Sequence, residues 1–189
     1  MKKLIVKLLL LFFKKLRIAF YNFISEHKIK AIVIQPDLTK GIGSIHISKS
    51  VHLGVERSPC FFTHYIYLDV RKASSEIVIG DNTYINNGAC IISDGCKIKI
   101  GENCLFGSSL QILDSDFHDL SPANRFGGGN IIRGDINIED NVFVGNNVTI
   151  LKGITIGKNS VIANGSIVSS SIPANVIAAG IPAKVIKSL

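Results

Sequence analysis

The sequence predicts an all-β fold, a parallel β-helix with an amphipathic helix before it and one long loop protruding from it. Three observations carry this reading. Between residues 138 and 173 an aliphatic residue returns at every sixth position: Ile138, Val144, Ile150, Ile156, Ile162, Val168. Four places after each stands a small or branched residue: Val142, Val148, Ile154, Ser160, Ser166, Ile172. Turn formers fill the gaps, as in Gly145-Asn146-Asn147 and Gly157-Lys158-Asn159. A period of six matches neither the 3.6 of an α-helix nor the 2 of a simple strand. It fits short strands joined by corners, three hexads to a triangular coil, with coils stacked so that the aliphatic residue fills the prism. Gly and Asn at the corners tolerate the positive φ that tight turns demand. A β-sandwich would need strands of about five or six residues joined by hairpins, which the hexads do not supply.

The elements follow in order. Residues 1–30 form a basic amphipathic segment that holds eight of the Lys/Arg residues and one acid, Glu26, so the formal charge of +7 belongs to it and residues 31–189 are neutral. A nucleic-acid-binding domain would carry its positive patch on the fold, so no nucleic-acid partner is expected. Within residues 1–24 the apolar run is broken by Lys7 and falls short of the roughly 20 residues that span a bilayer. No small-residue cleavage site follows it, as a signal peptide would require. Wound as a helix, Lys3, Lys7, Lys14 and Arg17 share one face, while Leu4, Leu8, Leu11, Phe12 and Ile18 cover much of the rest. Such a helix suits peripheral contact with a membrane, aromatics buried and lysines toward anionic headgroups. It also suits packing on the domain or on a neighbouring subunit.

Residues 31–189 are read as the β-helix domain. It begins irregularly over 31–56, with Ile42, Ile45, Ile47, Val51 and Leu53 in short strands. Residues 57–76 break the rhythm, and Phe61, Phe62, Tyr65 and Tyr67 fit either a cap or a strand. From Ile79 the repeat is clear: Ile79, Ile85 and Ile91 make one coil, and Ile100, Phe106 and Ile112 the next, with Asp94-Gly95-Cys96 absorbed as a corner bulge. It stops over the loop 113–130, LDSDFHDLSPANRFGGGN, resumes at Ile136, and ends in a tail, 173–189, that leaves the coils through Pro173 and Pro182. The cysteines Cys60, Cys90, Cys96 and Cys104 match no zinc spacing and read as small reduced fillers, which favours the cytoplasm. His46 and His52 lack a third ligand, and no metal is expected.

A long irregular loop in a compact domain tends to carry function. His118 is the loop's candidate general base, histidine being the residue type suited to that work near neutral pH. Asp114, Asp116 or Asp119 could accept a hydrogen bond from its ring and fix the tautomer.

The ending AAGIPAKVI, after the hexads of VFVGNNVTILKGITIGKNSVIANGSIVSSSIP, resembles the hexapeptide-repeat acetyltransferases, and most closely the galactoside and maltose enzymes and the O-acetyltransferases of capsule and exopolysaccharide synthesis. The resemblance covers residues 77–187, and 40–76 more weakly. It implies a left-handed parallel β-helix, since the hexad period itself states no hand. It implies a homotrimer with sites between neighbouring prisms, acetyl-CoA as co-substrate and a saccharide acceptor. It makes His118 the catalytic base and Asn86 its catalytic companion, with Asn87 as the neighbouring candidate. Asp94, Asp116 and Phe143 fall on the acceptor side, although the context ISDGCK around Asp94 departs from the family's pattern. Asn146, Asn164, Ser169, Gly180 and Lys184 fall along the coenzyme. The reaction expected is O-acetylation of a saccharide hydroxyl, of a cell-surface polysaccharide unit or its lipid-linked precursor. N-acetylation of an amino sugar nucleotide and a non-catalytic scaffold are the alternatives.

Overall fold

The computed structural model describes residues 1–127 and 129–189. Gly128, inside the expected loop 113–130, lies outside the described residues. The hexads form the left-handed parallel β-helix that the repeat and the resemblance lead one to expect. Three sheets make the faces of the prism. Among the described residues sheet A has eight strands, sheet B six and sheet C five, and successive parallel strands of one sheet come from successive coils.

The register shows why a six-residue period gives this shape. Ile79 pairs with Ile100, Ile100 with Ile138, and Ile138 with Ile156 in sheet C. Ile85, Phe106, Val144, Ile162 and Ala178 make the matching row in sheet A. Leu68, Ile91, Ile112, Ile150 and Val168 make the row in sheet B. All of these side chains are buried. The second position of each hexad points inward as well, and Val142, Val148, Ile154, Ser160, Ser166 and Ile172 are all buried. Removing apolar surface from water at about 25 cal/mol per Å² is the main stabilising term here, because each two-residue strand forms few backbone bonds of its own.

The corners are where sequence meets backbone geometry. Asn82, Asn103, Asn141, Asn159 and Asn175 all adopt φ between 55 and 62°, in the left-handed region that Asn tolerates better than other side-chain-bearing residues. Their amides add a ladder: Asn141 donates to Asn159 at 3.0 Å, and Asn159 to Asn175 at 2.7 Å.

The two ends differ from the sequence expectation in detail. The tail does not leave the coils at Pro173. Val176–Gly180 adds a further parallel strand to sheet A, and Ala183–Ser188 folds back on it antiparallel. At the other end, residues 57–76 include a strand of sheet B, Ile66–Val70, and an aromatic dock for the helix α1, Lys2–Ile24. Phe13 stacks near Phe62 with centroids 6.1 Å apart, and Tyr21 near Tyr65 at 4.8 Å. Arg17 donates to the carbonyls of Phe61 and His64 at 2.9 and 2.6 Å. Among the described residues no helix is long and apolar enough to cross a membrane.

Ile112 lies fully buried between Ile91 and Ile150. Ile112→Ala leaves a cavity that neighbouring coils cannot collapse, and is expected to lower unfolding free energy by about 2–5 kcal/mol, read from the midpoint of urea denaturation.

Candidate active site

The loop leaves sheet B after Gln111–Leu113 and rejoins sheet C at Ile136–Ile138. Its root is tied by a polar cage. Asp114 is fully buried; its carboxylate accepts from Ser93 Oγ at 2.9 Å, from the amide of Asp94 at 2.7 Å and from the amide of Cys96 at 3.0 Å. It therefore clamps the Asp94-Gly95-Cys96 bulge. Asp94 is nearly buried and holds the returning strand, accepting from Arg133 Nε at 3.0 Å and pairing with Arg133 Nη2 at 2.9 Å. Lys72 stands 3.4 Å from the same oxygen. An antiparallel bridge, Ser115 with Arg133, closes the neck.

Beyond the neck the chain turns at Phe117, with φ of 59°, and its amide donates to Ser115 Oγ at 2.9 Å. The Phe117 ring lies under the guanidinium of Arg71, 4.7 Å from centroid to Cζ. Arg71 is held in turn by Asp69 at 2.9 Å, which also accepts from Tyr67 at 3.1 Å. Burial first, and the Asp69 charge second, push the Tyr67 phenol up to about 12. His118 follows, exposed, beside a groove of about 250 Å³ formed within the loop.

Its ring does not meet an aspartate. Nδ1 lies 3.0 Å from the carbonyl of Arg125. A carbonyl can only accept, so Nδ1 carries a proton, and in the neutral ring the lone pair is then on Nε2. The three candidate acids have other work. Asp114 cages the bulge. Asp119 accepts from the amides of Ser121 and Asn130 at 2.6 and 2.5 Å, a turn-stabilising role typical of Asp. Asp116 pairs with Lys152 at 2.5 Å, and its Oδ2 is buried with no hydrogen-bond partner among the described residues.

The other expected site residues gather on a different edge of the prism. Asn86 and Asn87 follow the strand Tyr84–Ile85, at the corner from sheet A to sheet B. Asn87 is fully buried and takes a bond from the amide of Val55 while donating to the carbonyls of Val55, Ser58 and Pro59. It ties down the segment 55–59. Asn86 is half-buried, and its Oδ1 accepts from the Asn87 amide at 2.7 Å, which turns its NH₂ group away from that bond.

Higher on the same edge, Asn146 Oδ1 accepts from the amide of Ser108 and Asn164 Oδ1 from the amide of Asn146, each at 2.8 Å. Glycines make this approach feasible: a Cβ on Gly145 would meet Asn164 Oδ1 at 2.1 Å. Gly180 and Lys184, both exposed, stand at the last coil of that edge in the terminal hairpin. Ser169 does not join them; it follows the strand Ile167–Val168 at the corner from sheet B to sheet C. Phe143 is exposed on the outer face of sheet A, in a row with Tyr84, Leu105 and Val161. His118 and the Asn86 edge thus border sheet B from opposite sides. Sequence reasoning missed Arg71, because nothing local to it announces a partner in the loop.

The repeats match two family descriptions, bacterial transferase hexapeptide (six repeats) over residues 135–170 and hexapeptide repeat of succinyl-transferase over 97–109. A polysialic acid O-acetyltransferase of Escherichia coli O1:K1 is 38% identical over 121 residues, 62% of this chain and 38% of that protein. The crystal structure of the polySia-specific acetyltransferase NeuO superposes with a TM-score of 0.67 at 29% identity, covering 83% of this chain and 66% of that one. A hexapeptide-repeat acetyltransferase of Vibrio cholerae, solved with acetyl coenzyme A, gives 0.55 at 27% identity and covers 90% and 75%. The aligned stretches span 58%, 38% and 57% of the curated relatives. The resemblance to the hexapeptide-repeat acetyltransferases therefore holds in repeat, in sequence and in fold.

Asp114→Ala would strand two inward-facing amides, at a cost of about 1–3 kcal/mol each. It is expected to lower the denaturation midpoint strongly, and Asp114→Asn to lower it less, because the amide oxygen still accepts.

Proposed function

We propose that this hexapeptide-repeat protein is an acetyl-CoA-dependent O-acetyltransferase that acts on a saccharide hydroxyl, with His118 as its general base. One observation carries the reading: the Arg125 carbonyl fixes the ring tautomer that leaves Nε2 basic, on an exposed loop beside a groove. A hydroxyl is a poor nucleophile near neutral pH. His118 Nε2 takes its proton as the oxygen attacks the thioester carbonyl, and the thiolate leaves readily because thiol pKa values lie near 8.5. Transfer is direct, with no covalent enzyme intermediate. The Asn86 NH₂, turned from its own corner, is the donor for the developing oxyanion.

The shelf for acetyl-CoA is the edge of Asn146, Asn164, Gly180 and Lys184. It has room, since a Cβ on Gly165 would meet nothing within 4 Å. With the side-chain oxygens of Asn146 and Asn164 committed to the stack, backbone groups and the Lys184 ammonium do the binding. Ser169 lies off this shelf and serves the coenzyme only from a neighbouring chain. Phe143 supplies an apolar wall. Asp116, with one oxygen unpartnered among the described residues, and Asp94, whose side-chain bonds all fall on Oδ2, are the acids of the acceptor side.

Because His118 and Asn86 border sheet B from opposite edges, a second copy completes the site, and a homotrimer gives every edge a neighbour. Leu120 and Phe126, the latter 99% exposed, are the loop's contacts with that neighbour. The similarity to a polysialic acid O-acetyltransferase supports a cell-surface polysaccharide unit or its lipid-linked precursor as acceptor. The enzyme meets it at the cytoplasmic face of the membrane.

The test is thiol release from acetyl-CoA with a panel of glycans and amino sugars. Acceptor-dependent release is expected, falling about 10²–10⁴-fold in His118→Ala with coenzyme affinity by calorimetry unchanged. Response to amino sugars alone would assign N-acetylation, and no coenzyme binding would leave a scaffold. Arg71 acts through Phe117 as a positioning residue. Arg71→Ala is expected to lower kcat with little change in KM for acetyl-CoA, and Arg71→Lys to restore part of it.

A further inference from the structure

The helix α1 buries no residue at all. What it offers the domain is mostly its basic and aromatic side: Lys14 to Glu56 at 2.9 Å, Arg17 to two carbonyls, and the rings of Phe13 and Tyr21. At about 100° per residue, Leu4, Ile5, Leu8, Phe12, Leu16 and Phe23 fall in a sector roughly 120° wide on the opposite side. These side chains are exposed, with Phe12 at 67% and Phe23 at 84%. The sequence expectation set the lysines toward headgroups; Lys14 and Arg17 instead face the protein, and the apolar sector, interrupted near one edge by Lys15, faces away from it. So large an apolar patch marks a binding surface.

We infer that this outward sector lies in the plane of an anionic lipid leaflet and seats the domain on it. The helix is about 35 Å long at 1.5 Å per residue and is not apolar enough to cross a bilayer, so it lies along the surface. Residues 1–24 hold six Lys/Arg and no acid. Two such helices face to face would oppose like charges, whereas Lys2, beside the apolar sector, and Lys15, between Leu4 and Leu8 near one edge of it, meet lipid phosphates favourably. The seat is firm, because the chain after α1 is bonded to the prism: Thr39 donates its amide to Ser25 Oγ at 3.1 Å, and Glu26 to the Thr39 carbonyl at 3.0 Å. The inference rests on α1 and its dock, and stands independently of acetyl transfer.

Flotation of the full chain with phosphatidylcholine vesicles, with and without phosphatidylglycerol, tests it. The protein is expected to float with the anionic vesicles and far less with neutral ones. Phe12→Ser/Phe23→Ser should lower the partition coefficient roughly a hundredfold, since each buried Phe contributes about tenfold or more. Both side chains lie away from the domain, so the urea midpoint of this variant should match wild type. Failure of the wild type to float, or equal flotation of the variant, overturns the inference. A fall in solution mass caused by the same substitutions would assign the sector to a second copy and also overturn it. Thiol release measured in parallel with a soluble acceptor reports on the catalytic reading separately.

Discussion

The three inward rows of aliphatic side chains set the terms for everything else in this molecule. Each buried residue sits above its equivalent in the coil below, so one coil fixes the next. A substitution in a row is felt on both sides, because packing is dense and voids are costly. The rows also dictate where the chain can depart from the repeat. Extra residues inserted within a strand would turn inward side chains outward; inserted at a corner, they leave the rows intact. The two longest departures in the described chain, the segment after Leu53 and the loop after Leu113, leave from corners.

At those departures polar contacts replace aliphatic ones, and they are not of equal weight. Asp114 and Asn87 are fully buried and saturated by backbone partners, where a lost partner leaves groups that water cannot reach. The Lys14–Glu56 pair has its carboxylate 57% exposed, and exposed pairs contribute about 0–1 kcal/mol. Docking of α1 therefore depends on its ring pairs, at about 0.5–1.5 kcal/mol each, and on the two carbonyl bonds of Arg17. The loop that carries His118 is treated differently again. Its root is caged, while its tip presents Phe126 and Leu120 to solvent, an arrangement that fits a segment completed by a neighbouring chain.

The position of His118 is the product of contacts from distant parts of the chain. Arg71 and Phe117 meet across two coils of sheet B, and Arg125 closes on the ring from the far side of the loop. An imidazole on an exposed loop needs such support to keep one tautomer and one direction, because the solvent around it imposes neither. The same logic separates Asn86 from Asn87. They are adjacent in sequence and alike in chemistry, yet one is consumed by four bonds to the segment 55–59 and the other uses only its oxygen, on the amide of its neighbour.

The sequence by itself determined the prism, its inward residues, its corners and the loop that interrupts it, because a hexad is a local pattern and every coil repeats the same solution. It also marked the basic N-terminal helix, since charge and apolar periodicity there are properties of a few turns. Tertiary structure alone decided which face of α1 turns outward, that the ring of His118 is held by a carbonyl rather than an aspartate, that Asp94 is paired with Arg133, and that Val176–Gly180 continues sheet A. Each of these depends on residues that the coiling brings together from well separated positions, such as Arg71 with Phe117 or Asn87 with Val55. No local period encodes such a meeting; it follows from the number of residues each coil and each insertion places between the partners.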